Sequence, residues 1–139
     1  MTALTRLGAA AVLALIPATA FAQTDAPAGT WRHPDQSIVK FYGCEGGLCA
    51  QIVKARNPGA KDAKNPDSGK RDQKIEGLII MKGAQKVSST EWHGKLYNPE
   101  DGSTYDGKVV LLSGQELKLQ GCGLGGFVCK GETLTRVAN

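Results

Sequence analysis

The segment from Trp92 to Gly107 constrains the fold most, because it has the pattern of a complete β-hairpin. Its middle is the turn sequence NPEDG at residues 98–102, in which proline presets φ and glycine supplies a positive φ. One strand should therefore end near Tyr97 and the next begin near Ser103. No window of the chain keeps a helical apolar period for three turns, and the 18 glycines fit a chain of short strands joined by turns.

The same pattern recurs along the chain and predicts an all-β fold, an eight-stranded antiparallel up-and-down barrel with little helix. We expect strands at 29–32, 37–42, 48–56, 75–81, 87–97, 104–112, 116–120 and 127–137. Successive turns of a meander fall at alternate ends of the barrel. The short-turn end then has turns at 45–47, 83–85 and 113–114. The long-loop end has turns at 33–35, 98–102 and 121–126 and a polar loop at 57–73, and unstructured loops of that length are often functional.

The N-terminal residues predict a secretory signal peptide, residues 1–22. An apolar run at 7–20 follows Arg6 and ends in Ala20-Phe21-Ala22, which fits the small-residue cleavage rule, with the cut after Ala22. The run is too short for a stable membrane span. We therefore expect a periplasmic or secreted protein with no membrane span after cleavage, a linker at 23–28 and a single barrel domain at 29–139.

Cysteine positions agree with export. The chain has Cys44, Cys49, Cys122 and Cys129, and an even number of cysteines in an exported chain indicates disulfides. The first two flank a turn at the short-turn end and the last two flank a turn at the other end, about 23 Å away for seven-residue strands. A disulfide needs Cα atoms within about 7 Å. The topology therefore predicts Cys44–Cys49 and Cys122–Cys129, and a zinc site is disfavoured because no histidine lies near either pair.

Charge and motifs argue against several classes of function. The formal net charge is +4, but the basic residues are scattered, so we expect no nucleic-acid binding. His33 and His93 belong to no nucleophile motif, and if Trp92 faces inward, His93 faces solvent. We therefore predict no catalytic residue, no metal and no cofactor, with a hydrolase that uses Asp67 or Asp101 as a remote alternative.

Polar and aromatic residues near the long-loop end are candidates for a binding site. The candidate ligand-binding residues are Asp62, Asn65, Asp67, Arg71, Trp92, Tyr97, Asn98 and Tyr105. In a functional interpretation, the polar ones select a ligand at the barrel mouth and the aromatic ones line it. In a structural interpretation, Asn and Asp cap turns, Arg71 pairs with Asp67 or Asp62, and the aromatic residues form cross-strand pairs. A chain of this length should enclose only a small cavity, about 300 Å³.

The Gly29-Thr30-Trp31 sequence, taken with Arg136 near the other end of the chain, is similar to the lipocalin (calycin) signature. In that signature a tryptophan of the first strand packs under an arginine of the last strand at the closed end of the barrel. The resemblance implies that a guanidinium stacks on the Trp31 indole and that its donors satisfy backbone carbonyls.

A fuller resemblance covers nearly the whole chain after the signal peptide. Its motifs are Gly29-Thr30-Trp31, Asp62, Asn65-Pro66-Asp67, Arg71, Gly77, Trp92-x-Gly94, Tyr97-Asn98-Pro99, Gly102-x-x-Tyr105, Gly121-Cys122 and Cys129. These motifs resemble the exported bacterial proteins of domain of unknown function 2147 (DUF2147). The resemblance implies a lipocalin-like barrel and a periplasmic location, and no established reaction. Many members have Asp in place of Asn98 and Trp in place of Leu134.

Two hypotheses of function remain. The first is a non-enzymatic, lipocalin-like periplasmic protein that binds a small apolar or amphipathic molecule at the long-loop end. The alternative is an interaction module that docks another cell-envelope protein through the 57–73 loop.

Overall fold

The computed structural model describes residues 11–15, 26–44 and 46–138, so the predicted cleavage site after Ala22 lies outside the described residues. Eight strands form a closed antiparallel barrel in which each strand pairs with the next in the sequence and the last pairs with the first. They are β1 (Gly29–Arg32), β2 (Ile38–Cys44), β3 (Gly47–Lys54), β4 (Ile79–Lys86), β5 (Glu91–Asn98), β6 (Ser103–Leu111), β7 (Glu116–Gly123) and β8 (Val128–Ala138). The predicted fold class and the central hairpin are confirmed.

The fourth strand and the start of the fifth were predicted in the wrong place. We expected the fourth strand at 75–81, a turn at 83–85 and the fifth strand from residue 87. Instead, β4 runs to Lys86, the turn is at 87–90 and β5 begins at Glu91. Gly83 has a positive φ of 65°, but it forms part of a β-bulge and not of a turn. The three residue steps of β4 from Met81 to Ala84 lie opposite only two residue steps of β3. The chain turns instead at Ser88, whose hydroxyl accepts a hydrogen bond from Thr90 N at 3.3 Å.

The predicted long loop is longer and more ordered than expected. It covers 55–78, between β3 and β4, and contains a short 3-10 helix at Ser68–Lys70 and an isolated bridge between Lys61 and Lys74. Ile75 N donates to Ala60 O at 2.9 Å and so joins the two ends of the loop. Ile75, which was expected to begin the fourth strand, therefore belongs to the loop.

The two disulfides link the predicted pairs. Cys44 is bonded to Cys49 across the β2–β3 turn, with Cα atoms 5.8 Å apart. Cys122 is bonded to Cys129 across the β7–β8 turn, with Cα atoms 4.0 Å apart. Each bridge therefore holds one hairpin at its end of the barrel, as the meander topology requires.

Large side chains fill the short-turn half of the barrel. Trp31, Phe41 and Leu117 are fully buried there. Space is so limited that a Cβ added to Gly107 would lie 2.7 Å from both Leu96 Cβ and Met81 Cε. The full set of core residues is Trp31, Val39, Phe41, Leu48, Ala50, Ile52, Ile80, Met81, Ala84, Trp92, Leu96, Val109, Leu111, Leu117 and Leu134.

Arg136 closes this end as the lipocalin resemblance implies. Its Cζ lies 4.2 Å from the centroid of the Trp31 ring. Its Nε donates to Gly114 O at 2.6 Å, and its two terminal nitrogens donate to Ala28 O at 2.8 Å and Ala26 O at 2.7 Å. One guanidinium thus joins β1, the β6–β7 turn and the chain that leads into the barrel, including the described part of the predicted 23–28 linker.

Candidate functional site

A cavity of about 600 Å³ occupies the long-loop end of the barrel. It lies between the β1–β2, β5–β6 and β7–β8 turns and extends inward along β2 to β8. The cavity is about twice the size that we expected from chain length, so that expectation was wrong. Chain length is a poor guide here because inward-facing positions near this end are glycines, which leave the interior unfilled.

The wall of the cavity is apolar and its rim is polar. Val39, Ile52, Ile80, Leu96 and Leu119 form the wall. The rim carries His33, Asp35, Ser37, Asn98, Glu100, Asp101, Lys130 and Glu132. An apolar wall with a few polar groups at one side is the usual composition of a small-molecule site.

Two glycines of β7 determine how much of the cavity stays open. Gly121 lies beneath Tyr105, because a Cβ there would be 3.3 Å from the Tyr105 Cγ. A Cβ on Gly123 would have no heavy atom within 4 Å, and Gly123 has an extended backbone with φ −111°. Any residue can adopt that conformation, so the glycine at this position is not required by the backbone.

The β1–β2 turn brings a serine, an aspartate and a histidine to the rim. Asp35 Oδ1 accepts hydrogen bonds from Ser37 N at 2.8 Å and from Ser37 Oγ at 2.5 Å, and it lies 2.9 Å from His33 Nδ1. Burial raises the pKa of Asp35, but the bonds from Ser37 and His33 outweigh it and hold the pKa below its ordinary value. The aspartate lies between the other two, whereas a nucleophile triad needs the histidine in the middle. The group therefore caps a turn.

The β5–β6 turn places a second fixed carboxylate at the rim. Tyr105 donates its hydroxyl hydrogen to Asp101 Oδ2, and Ser103 N donates to Asp101 Oδ1 at 2.9 Å. The bond to Asp101 raises the pKa of Tyr105, and the same bond lowers the pKa of Asp101. Asp101 is thus an ionised acceptor whose position the turn determines.

A buried carboxylate joins the long loop to β5. Asp62 has no exposed surface. It accepts hydrogen bonds from Tyr97 Oη at 2.7 Å, Asn65 Nδ2 at 2.8 Å and Gln73 Nε2 at 3.1 Å. Burial raises the pKa of Asp62, but these three donors together hold it below the ordinary value. Burial and the bond to Asp62 raise the pKa of Tyr97 to about 12. The network fixes the loop against the barrel.

Arg71 stabilises the same loop, although not by the predicted ion pair. Its Nε donates to the backbone oxygen of Asn65 at 2.8 Å, and the ion pairs of the described chain include none between Arg71 and Asp62 or Asp67. Asp67 instead accepts from Gly69 N at 2.9 Å and caps the 3-10 helix. The expected pairing of Arg71 with a carboxylate is therefore wrong, whereas turn capping by aspartate is observed.

Comparisons with known proteins identify the family and support the fold. The sequence profile of a family described as an uncharacterized protein conserved in bacteria (DUF2147) matches residues 29–136. The chain belongs to the DUF2147 family. A comparison with curated proteins finds no match. Among solved structures, the chain is similar to protein HP1028 from the human pathogen Helicobacter pylori, a member of the lipocalin family. The two chains are 24% identical with a TM-score of 0.72, over 81% of this chain and 83% of that one. This similarity shows the lipocalin fold.

In this DUF2147 protein the candidate residues fall into three places. Tyr97, Asn98 and Tyr105 line the cavity. The loop candidates Asp62, Asn65, Asp67 and Arg71 do not line it and form the framework described above. Trp92 is buried near the short-turn end, where Lys86 Nζ lies 5.4 Å from its ring centroid. His93 faces outward beside Glu91, as alternation with Trp92 predicts.

Sequence reasoning did not identify most of the residues that line the cavity. Lys130 and Glu132 of β8 share the inner face with Leu134, because side chains alternate along a strand. This alternation could have identified Lys130 and Glu132 from the sequence if Leu134 had first been assigned to the core. Val39, Ile52 and Ile80 were expected in strands, but their depth within the barrel depends on the register of two pairs of strands.

Two absences hold for the described residues. No group of three or more His, Cys, Asp or Glu side chains among them could hold a metal ion. No helix within that part of the chain is long and apolar enough to cross a membrane.

Proposed function

We propose that this DUF2147 protein is a non-enzymatic binding protein that takes up one small apolar or amphipathic molecule at the long-loop end of its barrel. The observation that carries the proposal is the cavity of about 600 Å³ with an apolar wall beneath a polar rim. This volume lies within the range of about 300–1,000 Å³ for small-molecule sites. The apolar wall would hold the ligand body, and the rim would contact its polar end.

An exposed apolar lip beside the cavity supports the proposal. The β7–β8 turn presents Leu124, which is 80% exposed, and Phe127, which is 91% exposed. The disulfide between Cys122 and Cys129 lies at the base of this turn. Exposed apolar side chains of this size often mark a binding surface, and here they would give an apolar ligand its first contact with the protein.

The experiment that tests the proposal fills the cavity with a side chain. Gly123→Leu should fill the open space without backbone strain, and Gly43→Leu is the matched control. Gly43 also has no heavy atom within 4 Å of an added Cβ, but it lies at the short-turn end. Binding of the neutral probe N-phenyl-1-naphthylamine is followed by its fluorescence. We expect Gly123→Leu to weaken binding about tenfold or more, because it occupies the ligand volume, while Gly43→Leu binds as the wild type does. No binding by the wild type, or equal loss in both variants, would refute the proposal.

We further propose that the protein is exported and works in the periplasm or outside the cell. The signal-peptide pattern at 1–22 and the two disulfides support this location. Mass spectrometry of the protein from a periplasmic fraction should give a chain that begins at Gln23. A full-length chain in the cytoplasmic fraction would contradict the proposed export.

A second candidate function is the docking of another envelope protein through the long loop. It is favoured by the conformation of this loop, which Asp62 fixes from within while residues 66–74 stay exposed. Lys70→Glu should abolish co-purification of a partner from a periplasmic extract, and Lys118→Glu on β7 should not. Retention of the same partner by both variants would exclude this surface.

A further inference from the structure

The charges around the cavity have the opposite sign to the protein as a whole. The chain has a formal net charge of +4. Among the described residues, the carboxylates that line the cavity are Asp35, Glu100, Asp101 and Glu132, and the only lysine or arginine that lines it is Lys130. His33 also lines the cavity and lies beside Asp35. Four carboxylates against one ammonium group make this rim an acidic region on a basic protein.

Two of these carboxylates are held in position by turns. Ser37 donates two hydrogen bonds to Asp35, and Ser103 and Tyr105 donate to Asp101. In both cases the bonds lower the pKa of the carboxyl group, so both are ionised near neutral pH. A carboxylate has about four lone-pair sites, and therefore each retains sites for a further donor.

The remaining charged groups of the rim are not neutralised within the protein. Among the ion pairs of the described chain, none includes Glu100, Glu132 or Lys130. Glu132 and Lys130 share the inner face of β8, where they follow the apolar Leu134 toward the rim. His33 lies beside Asp35, and the charge of Lys64 also lowers the pKa of Asp101. The negative charge that is available to a ligand is therefore chiefly that of Glu100 and Glu132.

We propose that the ligand of this cavity is a cationic amphiphile, a molecule with an apolar body and a protonated amine. This inference rests on the proposed function, because it assigns the ligand class of the same cavity. The apolar body packs on Leu96, Leu119 and Val39, and the ammonium group donates hydrogen bonds to carboxylates of the rim. Charge-assisted hydrogen bonds of this kind are about twice as strong as neutral ones. An anionic head group on the same body would meet like charges and bind less well.

The test compares three probes that share one alkyl chain and differ in the charge of the head group. Dodecylammonium, dodecanol and laurate are each titrated below their micelle or solubility limits, and displacement of N-phenyl-1-naphthylamine is measured. We expect dodecylammonium to bind about tenfold more tightly than dodecanol, and laurate to bind most weakly. If the three bind equally, or laurate binds best, the assigned ligand class is wrong while the binding function stands. If none of the three displaces the dye and the dye itself does not bind, the proposed function fails as well.

Charge-neutralising variants show whether the rim causes the preference. The double variant Glu100→Gln and Glu132→Gln removes two carboxylates that have no ion-pair partner, so its fold should be unchanged. It should lose most of the preference for dodecylammonium over laurate, a change of about tenfold. Glu116→Gln is the control, since it removes a carboxylate from an exposed residue at the short-turn end of β7, away from the cavity. An unchanged preference in the double variant, or an equal loss in Glu116→Gln, would overturn the assignment.

Discussion

The two ends of this barrel are built from the same strands but are filled by different side chains. At the short-turn end Trp31, Phe41 and Leu117 are fully buried, and Arg136 stacks on the Trp31 ring. At the long-loop end the inner face of β7 has Gly121 and Gly123, and a cavity of about 600 Å³ remains. Both ends follow the same alternation of inward and outward residues. The size of the inward residues therefore decides which end is enclosed. The depression of about 570 Å³ at the short-turn end, beside Gly43 and Trp92, is open to solvent, whereas the long-loop cavity extends into the barrel and can hold a ligand.

The ends also differ in how their polar groups are used. At the short-turn end Arg136 donates to the carbonyls of Gly114, Ala26 and Ala28, and each of these bonds holds two chain segments together. At the other end, Asp35 and Asp101 are fixed by their own turns and retain capacity for another donor. Polar groups whose hydrogen bonds join distant segments stabilise the fold. Polar groups that are held in position and can still accept a hydrogen bond are suited to ligand recognition.

The sharpest test of this difference removes one large side chain from each end. Trp31→Ala should lower the free energy of unfolding by about 4 kcal/mol, because a fully buried tryptophan leaves a large void and Arg136 loses its stacking partner. Leu119→Ala lies in the cavity wall, where the side chain is only half-buried, and should cost about 1 kcal/mol. Urea denaturation of both variants gives the values. Equal costs would mean that the two ends are packed alike.

The next effect concerns the buried carboxylate of the long loop. Asp62→Ala should destabilise the protein by about 3 kcal/mol, because Tyr97, Asn65 and Gln73 each lose an acceptor. Asp67→Ala serves as the control in the same loop, since Asp67 is exposed and caps a 3-10 helix. It should cost about 1 kcal/mol or less. Thermal unfolding of the two variants gives these values. A larger loss of stability in Asp67→Ala than in Asp62→Ala would contradict the role assigned to Asp62.

The hydrogen bond between Tyr97 and Asp62 predicts a specific dependence on pH. The pKa of Asp62 lies below its ordinary value of 3.8, so its contribution to stability is present above that pH and is lost as pH falls through the folded-state pKa. The pKa of Tyr97 is raised from 10.0 to about 12, so its contribution is complete below pH 10.0 and is lost as pH rises through about 12. Both contributions are present between these limits.

Comparison with Tyr97→Phe isolates this bond. Between these limits the wild type should be more stable than Tyr97→Phe by about 1.5 kcal/mol, as for a hydrogen bond to a charged group. The difference should shrink above pH 10.0. Tyr42→Phe is the control, because the Tyr42 hydroxyl makes no hydrogen bond within the described part of the chain. A constant difference for Tyr97→Phe up to pH 12 would refute the bond.

The barrel and its closure could be predicted from the sequence because they rest on local signals. Turn residues separate the strands, the meander follows from short connections, and the end-to-end distance leaves one pairing of the cysteines. The contact of Trp31 with Arg136 was predicted because its motif places one residue on the first strand and one on the last. The turn signals are each complete within a few residues, and the cysteine pairing follows from the strand order that they give.

The cavity and the fourth strand could not be predicted in the same way. Gly83 has the appearance of a turn residue, but only the pairing of β4 with β3 and β5 shows that it forms a bulge. Gly123 likewise gives no local sign that it faces open space. Asp62 belonged to a polar loop in the sequence, and its burial arises from contact with Tyr97, 35 residues away in the chain. Each of these properties depends on strand register or on distant contacts.

The central claim is that the long-loop end, and not the short-turn end, receives the ligand. Methyl resonances measured by NMR during a titration with N-phenyl-1-naphthylamine test it most directly. We expect the methyl signals of Leu96 and Leu119, which line the cavity, to shift with a common binding curve, while those of Leu111 and Leu117 in the filled half stay in place. Shifts that are confined to Leu111 and Leu117, or that are equal at both ends, would contradict the account.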